Sequence, residues 1–364
     1  MRCIAFAFAG VLFSFCALNA QDDPKSLVLA KEDATYSVPN NYSPVRTVRL
    51  RFHPTEPKLI AQVSDKRLAI WDLNAKPQAA KGKKEPTVLP DYHAEQKEGW
   101  ITGFDIHPSG QWLITGGSDR KLRKWAWGDK TKPLVEVDGH QGWIEAVAYS
   151  LDGKSLATAG SDLKVRLWDS DGMKSLDTYS AHAKPIRDLT WSPDGKFIYT
   201  GGEDGKIVVY ELAAKKIVRT LEFGNVNEQQ GQDPAQSGVF RLAISPDGKW
   251  LAAAGQNKFG LYNLQTGNLV AAENLGFDTV FYPQGRFVIA GFNDTKVMRL
   301  DPAKLEKLSL DPLGKKGKTT GPAGDTIATL KRNSGYGLAV HPNGSRVAAA
   351  VGESTVGLWT VTKK

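Results

Sequence analysis

Seven times along the chain, an alternation of apolar and polar residues leads through a tight turn into a second apolar run. Another turn then leads into a third run. The first turns are Phe52-His53-Pro54, Ile106-His107-Pro108-Ser109-Gly110, Tyr149-Ser150-Leu151-Asp152-Gly153, Trp191-Ser192-Pro193-Asp194-Gly195, Ile244-Ser245-Pro246-Asp247-Gly248, Tyr282-Pro283-Gln284-Gly285 and Val340-His341-Pro342-Asn343-Gly344. The third runs close on Trp71, Trp125, Trp168, Tyr210, Tyr262, Leu300 and Trp359. Alternation with a period of two, rich in Val, Ile, Thr and aromatics, predicts half-buried strands. The Asp-Gly and Pro-Asp-Gly pieces between them supply the positive φ that a tight turn needs. No stretch after residue 20 keeps a helical period.

A small antiparallel sheet cannot bury both of its faces alone, so repeated sheets are stabilised by stacking around an axis. The expected fold is therefore all-β: a seven-bladed β-propeller of four-stranded antiparallel blades. Blade cores fall near 45–73, 100–127, 139–169, 181–212, 238–264, 275–301 and 334–362, within a single domain spanning 21–364. After Trp359 too little chain remains for a fourth strand. The pattern Ala34-Thr35-Tyr36-Ser37-Val38 matches the outer strand around Thr178-Tyr179-Ser180, so an N-terminal strand near 34–38 is expected to close the ring.

Residues 139–169, from Gly139-His140 to Trp168-Asp169, resemble a WD repeat, and residues 181–211, with Ala181-His182 and Tyr210-Glu211, are similar to one. The resemblance to the WD-repeat family extends over nearly all of 34–362. Units five to seven lack the opening Gly-His pair, and unit six lacks the closing aromatic. It implies a hydrogen-bonded structural tetrad of His140, Thr158, Asp162 and Trp168, and a second of His182, Thr200, Asp204 and Tyr210. It also implies a scaffold that binds protein partners rather than a catalyst.

The first twenty residues change the picture of where the protein works. Arg2 precedes an uncharged apolar run from Ile4 to Phe15, small residues stand at Ala17 and Ala20, and polarity returns at Gln21-Asp22-Asp23. This reads as a secretory signal peptide over 1–20, and the chain is expected to be periplasmic or extracellular. Two other readings are a membrane anchor, for which the stretch is too short to span comfortably, and a lipid anchor at Cys16, opposed by bulky Phe15. Both cysteines, Cys3 and Cys16, lie in that segment, so the remainder can form no disulfide and offers no thiol ligand. Net charge is +8, a modest basic excess.

Loops from the third to the fourth strand leave one side of a propeller, and loops to the next first strand leave the other. Three of the former are basic, through Lys81, Lys83 and Lys84, Lys130 and Lys132, and Lys315, Lys316 and Lys318. They suit an anionic surface or simple solvation, and with no interleaved aromatics nucleic-acid binding is unsupported. On the other side, alignment of the first strands brings Trp100, Trp143, Glu145, Arg187, Phe240, Phe277 and Tyr336 to the rim. Aromatics and Arg are the usual anchors of an interface, so this is the expected partner face of a monomer. The amide-rich loop 224–238 lies on the same side.

Catalytic chemistry finds little support in these residues. His53, His107 and His341 share one repeat position on separate blades, His140 and His182 belong to the tetrads, and His93 is placed in a loop. No spacing fits a zinc site or a phosphate loop. No metal or cofactor is expected. The competing reading is a propeller enzyme, a lactonase-like hydrolase or oxidoreductase, with Asp105, Asp188, Arg241 and Asp278 in the central channel. Those four are read as lying at differing positions of their strands.

Overall fold

A computed structural model describes residues 27–29, 34–37, 47–63, 66–77, 90–94, 96, 98–129, 132–223, 238–255, 258–273, 278–283, 288–291, 296–300, 325–329, 337–352 and 355–363. The expected signal peptide at 1–20 lies outside them, as do loop residues 224–237.

Two short strands come first, β1 (Leu27–Leu29) and β2 (Ala34–Ser37). Six four-stranded sheets follow. The first holds β3 (Thr47–Phe52), β4 (Lys58–Val63), β5 (Leu68–Asp72) and β6 (Asp91–His93). The second holds β7 (Ile101–Ile106), β8 (Trp112–Gly117), β9 (Lys121–Ala126) and β10 (Val135–Asp138). The third is β11 (Ile144–Tyr149), β12 (Ser155–Gly160), β13 (Lys164–Asp169) and β14 (Ser175–Ser180). The fourth is β15 (Ile186–Trp191), β16 (Phe197–Gly202), β17 (Lys206–Glu211) and β18 (Lys216–Glu222). The fifth is β19 (Val239–Ile244), β20 (Trp250–Gly255), β21 (Lys258–Asn263) and β22 (Leu269–Glu273). The sixth is β23 (Asp278–Phe281), β24 (Val288–Gly291), β25 (Lys296–Leu300) and β26 (Asp325–Thr329). Every pairing in these six sheets is antiparallel between strands consecutive in the chain. This is an all-β propeller of four-stranded antiparallel blades.

The count of seven four-stranded blades needs correcting, because six sheets meet that description. The remaining sheet, β27 (Leu338–Val340), β28 (Arg346–Gly352) and β29 (Thr355–Lys363), has five strands, since β1 and β2 both pair with β29. The reason lies in the register. Tyr36 is opposite Val356 and Val28 is opposite Thr362, so two pieces of the N-terminal segment share one edge of the nine-residue β29. The segment Leu27–Leu29 has too few residues to show alternation, which is why the sequence pattern passes over it. His93, placed in a loop on sequence grounds, sits instead in β6 opposite Leu68.

The core lies between sheets rather than within them. Ile60, Leu68 and Ile70 of the first sheet pack against Ile101, Phe104, Leu113 and Trp125 of the second. Ile114 and Leu122 meet Ile144, Leu156 and Trp168 of the third. Leu50, Leu59 and Trp71 meet Ala348, Val356 and Leu358 of the last sheet, with Tyr36 among them. Burying each such large side chain is worth about 1.5–3 kcal/mol, available only when a neighbouring sheet is present. First strands stand beside first strands, β7 with β11, β11 with β15, β15 with β19 and β19 with β23, so they line the axis.

The turns after the first strands use two devices. In the third, fourth and fifth blades, Ser150, Ser192 and Ser245 each donate Oγ–H to the Asp two residues on, at 2.6 Å. In the first and second blades, His53 and His107 reach outward and bond Gly110 O at 3.0 Å and Gly153 O at 3.1 Å on the next blade. Those acceptor glycines have φ of +75° and +72°, a backbone shape that excludes most side chains.

Candidate binding face

In the third blade, Trp168 Nε1–H donates to Thr158 Oγ1 at 2.9 Å, and Thr158 Oγ1 stands 2.8 Å from His140 Nε2. His140 Nδ1 stands 2.8 Å from Asp162 Oδ1. Indole can only donate and carboxylate can only accept, so the chain has one direction: Trp168 to Thr158 to His140 to Asp162. For the neutral imidazole that burial favours, this direction places the proton on Nδ1. Burial pushes His140 below the ordinary imidazole value, partly offset by Asp162. Burial alone would raise Asp162, but the bond from His140 and backbone N–H groups of Gln141 and Lys164 bring it down to about 2.

The tetrad changes from blade to blade. In the fourth, His182 lies 2.9 Å from both Thr200 Oγ1 and Asp204 Oδ1. Tyr210, expected as its fourth member, instead donates to Asp177 Oδ2 of the preceding blade at 3.0 Å, and its ring stacks on Tyr179. A phenol hydroxyl projects further than an indole N–H, so it overshoots Thr200. Tyr262 repeats this in the fifth blade, bonding Glu222 O at 2.9 Å. Sequence reasoning missed the second blade, where Gln96 replaces the histidine. Trp125 Nε1–H donates to Thr115 Oγ1 at 3.0 Å, Gln96 lies 3.4 Å from the same oxygen, and Arg123 joins Gln96 to Asp119. The signal was Thr115 and Trp125 at the spacing of Thr158 and Trp168. In the first blade Ala61 stands in the threonine's place, and Trp71 Nε1 has no acceptor among the described residues.

The tetrads hold the loops that carry the exposed tryptophans. Asp162 Oδ2 accepts from Gln141 N at 3.1 Å, and Ser161 Oγ accepts from Trp143 N at 2.8 Å. Ser161 N donates back to Trp143 O at 2.9 Å. The second blade repeats the clamp, with Trp100 N on Ser118 Oγ and Ser118 N on Trp100 O, both at 2.9 Å. The side chains are left outside: Trp100 is 56% and Trp143 47% exposed. Adjacent blades thus present two indoles on immobilised backbone.

The other expected face residues behave differently. Arg187 Nη1 pairs with Glu145 at 2.8 Å and Arg187 Nε bonds Glu203 at 2.8 Å, fastening the third blade to the fourth. Burial pushes the Glu145 carboxyl up, and Arg187 pulls it part of the way back. Phe240 is half-buried, its ring over Gly238. Phe277 and Tyr336 lie outside the described residues. The strict alternation that grouped these positions is broken by a β-bulge in each of the first five first strands, at Thr47/Arg49, Ile101/Gly103, Ile144/Ala146, Ile186/Asp188 and Val239/Arg241. Thr102, Glu145, Arg187 and Phe240 are the extra residues, and a bulge re-aims the side chain it carries. Of the basic-loop lysines, Lys132 is exposed, while Lys81, Lys83, Lys84, Lys130, Lys315, Lys316 and Lys318 lie outside the described residues.

Charge also gathers at the axis. Arg49, Asp188, Arg241 and Asp278 occupy one register position of their strands, opposite Gln62, Gly201, Ala254 and Gly291. Only Asp105 lies two residues further on, which corrects the reading that all of these differ. The equivalence is also present in the sequence, each of the four lying four residues before the turn residue His53, Ser192, Ser245 or Tyr282, and Arg49 was overlooked. Arg49 Nη2 spans from the first blade to Asp188 Oδ1 of the fourth at 2.8 Å. Asp188, Asp105 and Asp278 each accept a backbone N–H from the following sheet, those of Leu242 at 2.8 Å, Tyr149 at 2.9 Å and Leu338 at 2.7 Å. Among the described residues no group of three or more His, Asp or Glu is arranged to hold a metal ion.

The family model for the WD domain, G-beta repeat, matches residues 89–126, 131–169, 173–211 and 226–259, so these stretches are similar to WD repeats. Fold and matches are consistent with a WD-repeat propeller. The first three matches each begin with the outer strand of one sheet and end with the third strand of the next. No curated protein matches the chain.

Proposed function

We propose that this protein is a non-catalytic, exported scaffold that captures a protein partner on the face carrying Trp100 and Trp143. The observation that carries the reading is the pair of exposed indoles on adjacent blades, each with its backbone clamped by a serine hydroxyl. Large rigid aromatics give contact area at little entropic cost, which suits them as anchors. Phe240, Glu145 and Arg187 border the same face. The basic loops are a second surface, available to anionic groups. Export rests on the apolar run from Ile4 to Phe15.

We also infer that the five-stranded sheet serves as the seventh blade and that its pairing with β1 and β2 closes the ring. The position of β27 beside both β23 and β3 supports this. Blade repeats that straddle two sheets leave the last sheet short of an outer strand, which the N-terminal segment can supply.

The test is co-purification from the native host, comparing wild type with the combined Trp100→Ala, Trp143→Ala and Phe240→Ala variant. Loss of a co-purifying protein is expected, and retention of every species would rule out this face. N-terminal sequencing of the protein from cell fractions tests export: the mature chain should begin near Gln21.

A further inference from the structure

In the second, third and fourth blades, the tight turn between the second and third strands holds one residue in a left-handed backbone just after its aspartate. These residues are Arg120 at φ +71°, Leu163 at +67° and Gly205 at +74°. Their carbonyls do equivalent work, Arg120 O accepting from Gly139 N at 2.9 Å, Leu163 O from Ala181 N at 3.5 Å and Gly205 O from Phe223 N at 2.8 Å. Glycine does this at no steric cost, whereas a side chain there crowds the backbone. The two blades that bear the strain are the two that present an indole. Trp100, Trp143 and Pro185 share one position, each accepting through its carbonyl from the turn residue Ser118, Ser161 or Glu203. Where proline replaces tryptophan, glycine replaces the strained residue. The two loops of each blade also touch: a side chain at Gly99 would collide with Ser118 and Asp119, and one at Gly142 with Ser161 and Asp162.

Neither strained side chain is used inside the protein. Arg120 is exposed, and its guanidinium has no bond among the described residues, the neighbouring Asp119 being held by Arg123 at 2.6 Å. Glu98 is exposed two residues before Trp100, and no bond joins it to Arg120. Leu163 is half-buried and belongs to neither of the apolar clusters that flank the third blade. Strain kept without an internal contact points to an external one.

We propose that Arg120 and Leu163 set the specificity of the indole face, and that its partner docks an acidic peptide segment carrying an apolar residue beside the acid. The carboxylate meets Arg120 next to Trp100, and the apolar side chain meets Leu163 next to Trp143. A planar guanidinium fork matches a carboxylate in both charge and shape. This rests on the reading of Trp100 and Trp143 as partner anchors and adds the chemistry of what they hold.

Biolayer interferometry of the whole chain on two immobilised random copolymers, glutamate with tyrosine and lysine with tyrosine, tests this at physiological ionic strength. Saturable binding of the glutamate copolymer alone is expected. Arg120→Glu should weaken it about tenfold or more and Leu163→Gly about threefold or more, while Lys249→Glu on an exposed turn of the fifth blade leaves it unchanged. Absence of saturable binding overturns the proposal, as does preference for the lysine copolymer or indifference to either Arg120→Glu or Leu163→Gly. Equal loss with Lys249→Glu marks attraction to net charge and overturns it too. Gly205 shows that glycine fits this turn, so urea unfolding of Arg120→Gly gives a second measurement. Its midpoint should hold or rise, because only strain and an exposed side chain are lost, and a lower midpoint would assign Arg120 to the fold instead. The Trp100→Ala Trp143→Ala pair separates the two readings. Loss with the pair but not with Arg120→Glu keeps the indole face and sinks the acidic partner, whereas the reverse sinks the indoles and leaves the acid recognition.

Discussion

The ring of Tyr36 stands edge-on to the indole of Trp71, with centroids 6.0 Å apart and planes at 71°. Tyr36 also pairs through its backbone with Val356. One residue near the start of the chain therefore touches the third strand of the first blade and the last strand of the protein. Tyr36→Ala is expected to destabilise by about 3–5 kcal/mol, as for other buried aromatics cut to alanine. Tyr36→Phe should lose far less. Urea unfolding followed by tryptophan fluorescence measures both, and an alanine loss below about 1 kcal/mol would show that the segment contributes nothing to the core.

Trp168 and His140 both bond Thr158 Oγ1, the one group that joins them among the described residues. Thr158→Val keeps the shape but removes the hydroxyl, leaving a buried indole N–H and an imidazole nitrogen unpaired. The expected loss is about 1–3 kcal/mol per stranded group. Thr200→Val should cost less, because Tyr210 does not depend on Thr200. Equal losses from matched denaturation curves would contradict the one-way chain.

His53, His107, His140 and His341 are all held below the ordinary imidazole value, in each case chiefly by burial. The folded protein takes up protons at these imidazoles less readily than the unfolded chain, which charges them below about pH 6.5. The unfolded state then binds more protons, so this stability is complete above pH 6.5 and is lost as the pH falls beneath it. Asp162, lowered to about 2, adds a second loss between about pH 4 and 2. Urea midpoints recorded from pH 8 to pH 3 should fall in that order, and a midpoint constant from pH 7 to pH 5 would refute the first step.

Trp143→Ala should alter folding stability by no more than about 0.5 kcal/mol, since the side chain is largely outside, yet weaken partner capture severely. Ser161→Ala removes the clamp without touching the indole. It should weaken capture less than Trp143→Ala does, mainly by faster dissociation, as read by surface plasmon resonance once a partner is isolated. A Ser161→Ala variant binding as wild type would mean that the clamp plays no part in recognition.

Strand type and turn chemistry were legible in the residues themselves, because period-two alternation and Pro-Asp-Gly turns are local and depend on no distant partner, whereas the count of seven four-stranded blades was not, since six sheets meet that description. The tetrad of His140, Thr158, Asp162 and Trp168 was legible for the same reason: each member lies at a fixed offset within one unit. Tertiary structure decided whatever crosses between units. It turned Tyr210 toward Asp177, put Gln96 in a histidine's place, and set β1 beside β2 on β29. It also brought Arg49 across the axis to Asp188, 139 residues away. A bulge of one residue resets which side chain faces the axis, and contacts between blades depend on how separate sheets are stacked, so neither is written in the spacing along a single strand.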